Sequence, residues 1–182
     1  EHLEESMTHR ERYTQTLLFG SPDKIPFSPG APRESTLAAW NQQGLPAGVD
    51  WREHLCEMLG LETDCLQGPK TLDADFRMLP RFEEKVIEHR DGHYIVQDWK
   101  GNICEISDDF DVTYLRLPKD FVTRRWIRCP VENREDWAKM RERYQADSPE
   151  RLPVDFDDRS RRLADRDRVL SVEIAGPFWM MR

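Results

Sequence analysis

The sequence has no uninterrupted apolar run approaching the roughly 18 residues that cross a bilayer as a helix. Residues 1–20 also lack the basic, apolar, small-residue order of a secretory leader. A cytoplasmic location is therefore the default expectation. Cysteine is scarce: Cys56, Cys65, Cys104 and Cys129 stand far apart with no Cys-x-x-Cys pair, which argues against a disulfide framework and leaves four free thiols, mostly buried. Basic charge is in deficit, with 27 Lys and Arg against 35 Asp and Glu and a formal charge of −8. The cations are interspersed with acids and form no stripe, so neither nucleic acid nor an anionic membrane surface is expected as partner. No internal repeat and no low-complexity tract is found.

What is present suffices for one ordinary core, since 182 residues at 38% hydrophobic give a prior of one domain. The first six residues read as a tag or upstream reading frame, with Met7-Thr-His-Arg-Glu-Arg-Tyr a natural start. Thr8-x-x-Glu11 is a capping box opening a helix from about His9 to Phe19, with Tyr13, Leu17 and Leu18 on its buried side. Lys24–Ser28 reads as a short strand whose prolines put it at an edge or entry. Further helices are expected over Glu34–Gln43 and Trp51–Leu59, the second opened by Asp50-x-x-Glu53 and closed by Gly60.

The character then changes. Arg81–Glu88, His93–Trp99 and Asn102–Ser107 are β-rich runs joined by Asp91-Gly92 and Lys100-Gly101-Asn102, which predicts an antiparallel meander over about residues 81–117, with Val112–Leu117 extended. The stretch Phe121–Cys129 leads to a helix capped by Asn133, from Arg134 to about Tyr144. A charged helix from about Asp155 to Asp167 precedes a buried-type strand, Val169–Ile174. Helices alternating with parallel-type strands give an α/β class with the meander as an insertion. Lys24–Ser28 and Val169–Ile174 are the two convincing barrel-type strands.

Three stretches together resemble the uroporphyrinogen decarboxylase and corrinoid-methyltransferase superfamily. Helix 1 followed by Pro22-Asp-Lys-Ile-Pro-Phe27 is similar to that family's opening, where an Arg-Glu-Arg helix leads through a Pro-Asp-Arg-Ile-Pro turn into the first barrel strand. Pro130-Val-Glu-Asn-Arg-Glu-Asp-Trp137 resembles a Pro-Val-x-x-x-Glu-Asp-Trp segment of its uncharacterised branch, and Ala175-Gly-Pro-Phe178 resembles its Gly-x-Pro-Phe signature at a central strand end. The resemblance implies that residues 7–182 are the N-terminal part of a (β/α)8 TIM barrel whose catalytic face lies at the C-terminal ends of the strands. It implies a small-molecule substrate and an enzyme that decarboxylates a porphyrinogen or transfers a methyl group to a corrinoid or thiol acceptor. A corrinoid protein is an implied partner, and an oligomer is compatible. No cofactor is expected within this chain. The methyltransferases' zinc, held by His and Cys of later strands, and a corrinoid belong to the intact protein, so the chain alone is expected to show no turnover. Pro29-Gly-Ala-Pro-Arg33 replaces the decarboxylases' Arg-Gln-Ala-Gly-Arg loop, keeping Ala31 and Arg33 but losing the first arginine at Pro29, which puts methyl transfer ahead of decarboxylation.

The substrate-binding candidates are Arg33, Gly30, Gly176, Trp179 and Arg182. A guanidinium on a loop after a strand can clamp a carboxylate in bidentate fashion; the plainer alternative for Arg33 is pairing with a helix-start acid such as Glu34. Gly30 suits a turn. Gly176 to Trp179 offers close backbone approach and an aromatic wall, with Arg182 at the same mouth. His89 and His93 straddle a hairpin and read as exposed, while His54 and Cys56 face different ways on one helix. Asp73 and Asp75 could do acid–base work but read as solvated loop acids. Arg124, Arg125 and Arg128 could guide an anion but more simply neutralise nearby carboxylates, and the run Asp157–Arg168 reads as a solvated helix face. A competing expectation from another class is a non-catalytic α+β interaction domain centred on the meander.

Overall fold

The structure, a computed structural model, describes residues 6–61, 69–117, 119–174 and 176. It is a mixed α/β chain with helices, one parallel strand pair and one antiparallel sheet, and no closed barrel forms among the described residues. No helix among them is long and apolar enough to cross a membrane. Contacts group the chain into two compact units, one from residues up to 32, 38–74 and 153–172, the other from 33–37, 75–152 and 173 onward.

In the first unit, α1 (His9–Leu17) opens on the expected capping box: Thr8 Oγ1 accepts the Glu11 N–H at 3.2 Å, and Glu11 Oε2 accepts the Thr8 N–H at 2.9 Å. Helix α2 (Glu34–Gln42) begins in the second unit and runs into the first. Asp50 caps α3 (Trp51–Leu59) by accepting the Arg52 N–H at 2.7 Å, and Gly60 ends it at φ 63°. Strand β1 (Lys70–Thr71) pairs in parallel with β6 (Leu170–Ser171), and α5 (Phe156–Arg162) precedes β6.

Several expectations fail in this unit. Lys24–Ser28 forms no strand: Pro22, Pro26 and Pro29 bring no N–H to a ladder, and the Lys24 N–H is taken by Asp23 Oδ1. The charged helix stops at Arg162, short of Asp167, and the terminal strand keeps only Leu170 and Ser171 of Val169–Ile174. Leu17 and Leu18 are exposed, at 64% and 74%, and Arg12 is the buried residue of α1 instead. Among this unit's described residues Cys56 is the one fully buried apolar side chain. Polar bonds, more than apolar packing, fix its geometry.

The second unit has a true core. Strands β2 (Lys85–Arg90), β3 (His93–Gln97), β4 (Ile103–Ser107) and β5 (Arg124–Arg128) form an antiparallel sheet in chain order. The meander therefore runs on to Arg128, because Phe121–Cys129 supplies a fourth strand. Val112–Leu115 is a 3-10 turn, not extended, since Asp111 caps it by accepting the Thr113 N–H. Its Leu115 packs with Val96, Cys104 and Ile106, flanked by Tyr94, Val122 and Trp126. Asp91 and Gly92 join β2 to β3 with φ of 50° and 73°, the pair of positive values a two-residue hairpin turn demands. Asn133 accepts the Glu135 and Asp136 N–H groups at the start of α4 (Arg134–Arg141), whose Met140 is buried.

The β3–β4 turn is built on a buried carboxylate. Asp98 Oδ1 accepts the N–H groups of Lys100 and Asn102, each at 2.9 Å, and Oδ2 accepts Asn102 Nδ2–H at 3.0 Å. Both side chains are fully buried. Gly101 closes the turn at φ 86°, where a Cβ would stand 2.9 Å from the Phe82 ring. Gly101→Ala thus combines a disfavoured backbone with a collision against an aromatic ring and is expected to cost roughly 2 kcal/mol or more. Asp98→Ala is expected to cost about 1–3 kcal/mol for each buried donor left unpaired. Urea unfolding followed by tryptophan fluorescence measures both; unchanged midpoints would show that this turn does not organise the sheet.

Candidate functional site

Helix α1 and the turn after it are joined through an ion pair. Arg12, 5% exposed, donates from Nε to Asp23 Oδ1 at 2.7 Å and from Nη2 to Asp23 Oδ2 at 2.8 Å, with a further bond from Nη2 to the Met7 carbonyl at 3.1 Å. The parallel fork matches the carboxylate's two oxygens. These bonds, with the Lys24 N–H, hold the Asp23 carboxyl down at about 2 despite the opposing effect of burial.

Arg33 lies at the start of α2 with its guanidinium 5.0 Å above the Phe121 ring; the Asp120 carboxyl is held below its usual range chiefly by the Ser35 hydroxyl bond, with the charge of Arg33 the smallest contribution. Asp120 in turn accepts from Ser35 Oγ–H at 2.7 Å and from the Ser35 N–H at 3.2 Å, while Tyr114 Oη–H donates to Glu34 Oε2 at 3.0 Å. Arg33 is therefore engaged by an aromatic face and the field of Asp120, not by Glu34 as the plainer sequence alternative had it. Gly30 and Gly176 both stand in open space, with φ outside the left-handed region, so neither conformation nor crowding calls for glycine there. Trp179 and Arg182 lie outside the described residues, as does Cys65.

The other candidates resolve into local partnerships. Asp73 accepts from Thr71 Oγ1 and from Arg159, bonds that lower its pKa. Burial pushes the Asp75 carboxyl up, but bonds from Arg77 at 2.9 Å and Arg81 at 2.7 Å outweigh it and hold it at about 2. Both are ionised ligands of arginines, which is the wrong state for a proton donor near neutral pH. His89 Nε2 is 2.9 Å from Asp108 Oδ2 and His93 Nδ1 is 2.9 Å from the Asp91 carbonyl, each exposed at the hairpin. Arg125 pairs with Glu105 and Arg128 with Glu132, while Arg124 stacks on Trp126. Cys56 and Cys104 are buried free thiols and Cys129 is partly buried; burial raises the Cys104 thiol to about 11, which leaves it inert as a nucleophile. Among the described residues no group of three His, Cys, Asp or Glu side chains is arranged to hold a metal, so none is assigned to the zinc of the methyltransferases.

Two features escaped the sequence reading. Arg151 donates to the carbonyls of Asp75, Arg77, Arg143 and Gln145 at 2.5–3.1 Å, tying itself to two segments of the second unit, Asp75–Arg77 and Arg143–Gln145; nothing in its sequence neighbourhood signals this. The other is a cleft of about 460 Å³ along α2 and α3, walled by Trp40 and Trp51, whose ring centroids are 6.0 Å apart at 55°. Tryptophans at the ends of two consecutive short helices were its only sequence signal.

No protein-family model matches the chain, and no curated protein and no solved structure is similar to it.

The Arg12–Asp23 pair makes an acid-stability prediction. A free aspartate protonates near 3.8 and the folded Asp23 near 2, so the pair's contribution is fully present above 3.8 and is lost as pH falls through 2. Asp23→Asn is expected to cost about 1.5–3 kcal/mol at neutral pH and to flatten part of the stability loss between pH 4 and 2. Thermal unfolding across that range decides it: an unchanged acid limb with unchanged neutral stability would remove the pair from any structural role.

Proposed function

We propose that the chain forms opening strands and helices of a (β/α)8 barrel of the uroporphyrinogen decarboxylase and corrinoid-methyltransferase superfamily. The intact protein, on this reading, transfers a methyl group from a small methylated donor to a corrinoid or thiol acceptor. The observation that carries it is the Arg12–Asp23 fork: the Arg-Glu-Arg helix and the Pro-Asp-Lys turn, picked out by resemblance, are bonded to each other. The parallel pairing of Lys70–Thr71 with Leu170–Ser171 supports it, since parallel strands joined through helices are the barrel's unit of construction. So does the scarcity of buried apolar side chains in the first unit, where Phe19 and Ile25 are 98% and 80% exposed; a surface of this kind is what further barrel elements cover.

Methyl transfer is favoured over porphyrinogen decarboxylation by the loop before α2. A substrate rich in carboxylates calls for several free guanidinium forks. Pro29 supplies none, and Arg33 lies over Phe121. A second reading, a self-contained α+β interaction domain, is favoured by one observation: the four-stranded sheet encloses its own core of Val96, Cys104, Ile106 and Leu115.

The test incubates the full natural protein with cob(I)alamin and, in turn, methanol, methylamine and methoxybenzene, with and without added zinc. Formation of methylcobalamin, or methylation of a simple alkanethiol, is expected with one of these donors. Decarboxylation of uroporphyrinogen with cob(I)alamin left unmethylated would replace this reading by the decarboxylase one, and inactivity in both assays would favour the interaction domain.

A further inference from the structure

The four-stranded sheet has an open edge that takes no part in the methyl-transfer reading. Among the described residues β2 pairs with β3 on one side and with no strand on the other. All of its residues, Lys85–Arg90, are exposed, and about half of the surface of Val86 and of Ile87 stands in solvent. An edge strand turns alternate N–H and C=O groups outward, where another chain can extend the ladder.

Charges along such an edge ordinarily keep other chains away, but here their order selects a partner. The segment reads Glu83-Glu-Lys-Val-Ile-Glu-His-Arg90. Laid antiparallel on its own copy about a two-fold axis between Val86 and Ile87, it sets Lys85 opposite Glu88 and Glu83 opposite Arg90. Val86 then meets Ile87 at the centre, and the symmetry repeats every contact. Opposite charges directly across a ladder stabilise it and like charges oppose it. A shift of two residues, which keeps the same faces together, brings Lys85 against Arg90 or Glu83 against Glu88. A shift of one puts Val86 against Glu88 or Glu84 against Glu88, and parallel pairing in register sets each charge against itself. The other edge of the sheet, β5, carries Arg124, Arg125 and Arg128 and repels its own copy.

The four charged side chains are free to re-pair. Lys85 lies 3.8 Å from Glu83 and Arg90 lies 3.7 Å from Glu88, in pairs whose members are all at least half exposed and so weakly held. The β2–β3 ladder shifts register between Val86 and Glu88. That irregularity falls at the two-fold axis, so the charged positions lie to either side of it.

We infer that β2 is a homodimer interface, at which two copies of the chain join edge to edge in this register and fuse their sheets into one. The contact is short, so dimerisation depends on concentration. Sedimentation equilibrium of the 182-residue chain, over about two decades of concentration, is expected to show monomer passing into dimer. Lys85→Glu faces Glu88 of the other copy with a like charge, and Glu88→Lys faces Lys85 with one. Each variant alone is expected to dimerise at least ~10-fold more weakly. Combining both substitutions in one chain restores opposite charges and is expected to restore the dimer. Mixing the two single variants is expected to give a heterodimer, since each then supplies the charge that the other lacks. Both side chains are exposed, and circular dichroism checks that every variant folds. A monomer at all concentrations, single variants that dimerise as the parent does, or a mixture that stays monomeric would overturn the assignment.

Discussion

The carboxylate of Asp98 is the point on which the best-packed part of the molecule depends. Its two oxygens take up the Lys100 and Asn102 amides and the Asn102 side chain, all within a turn of five residues. A fully buried carboxylate is costly unless its lone pairs are occupied. Here they are, and the geometry that occupies them also sets the register in which Ile95 faces Glu105 and Val96 faces Cys104. A one-residue slip would turn Val96, Cys104 and Ile106 out of the core they form. Gly101 is required at the same place because only glycine combines φ 86° with the Phe82 ring against it.

Elsewhere the chain meets the same constraint with arginines. Arg12 binds a carboxylate and a carbonyl, and Arg151 gathers four carbonyls from two chain segments. Segments with many prolines and few apolar residues cannot hold their backbone by strand ladders or by core packing. A planar fork with several donors fixes them at the cost of one long side chain's rotamer freedom. The first unit carries this furthest, since its Leu17, Leu18, Phe19 and Ile25 are exposed while Arg12 is buried. It is these exposed apolar side chains that the barrel reading assigns to further packing.

Much was legible in the residues themselves. Helices α1, α3 and α4 were set by caps whose chemistry is local: Thr8 with Glu11, Asp50 with Gly60, and Asn133. The Asp91-Gly92 hairpin was legible because only a few residue pairs tolerate two positive φ values. The neutralising role of Arg125 and Arg128, and the exposure of His89 and His93, were also read correctly from their neighbours. Of the candidate site, the position of Arg33 at the start of α2 could be read, but not its partner, because Phe121 and Asp120 lie far along the chain.

The sequence by itself thus determined elements whose stabilising groups lie within about four residues of one another: caps, turns and the alternation of the central strands. Tertiary structure alone decided which short extended pieces became strands. Lys70–Thr71 became one because Leu170–Ser171 came alongside, and Lys24–Ser28, with the stronger local pattern, did not because Arg12 claimed Asp23 and the prolines offered no donors. It decided too that the Trp40 and Trp51 rings should meet, with their centroids 6.0 Å apart. The physical reason is common to all three: a strand, a cleft and an ion pair each need a partner that the local chain does not supply, and the partner is chosen only when distant segments meet.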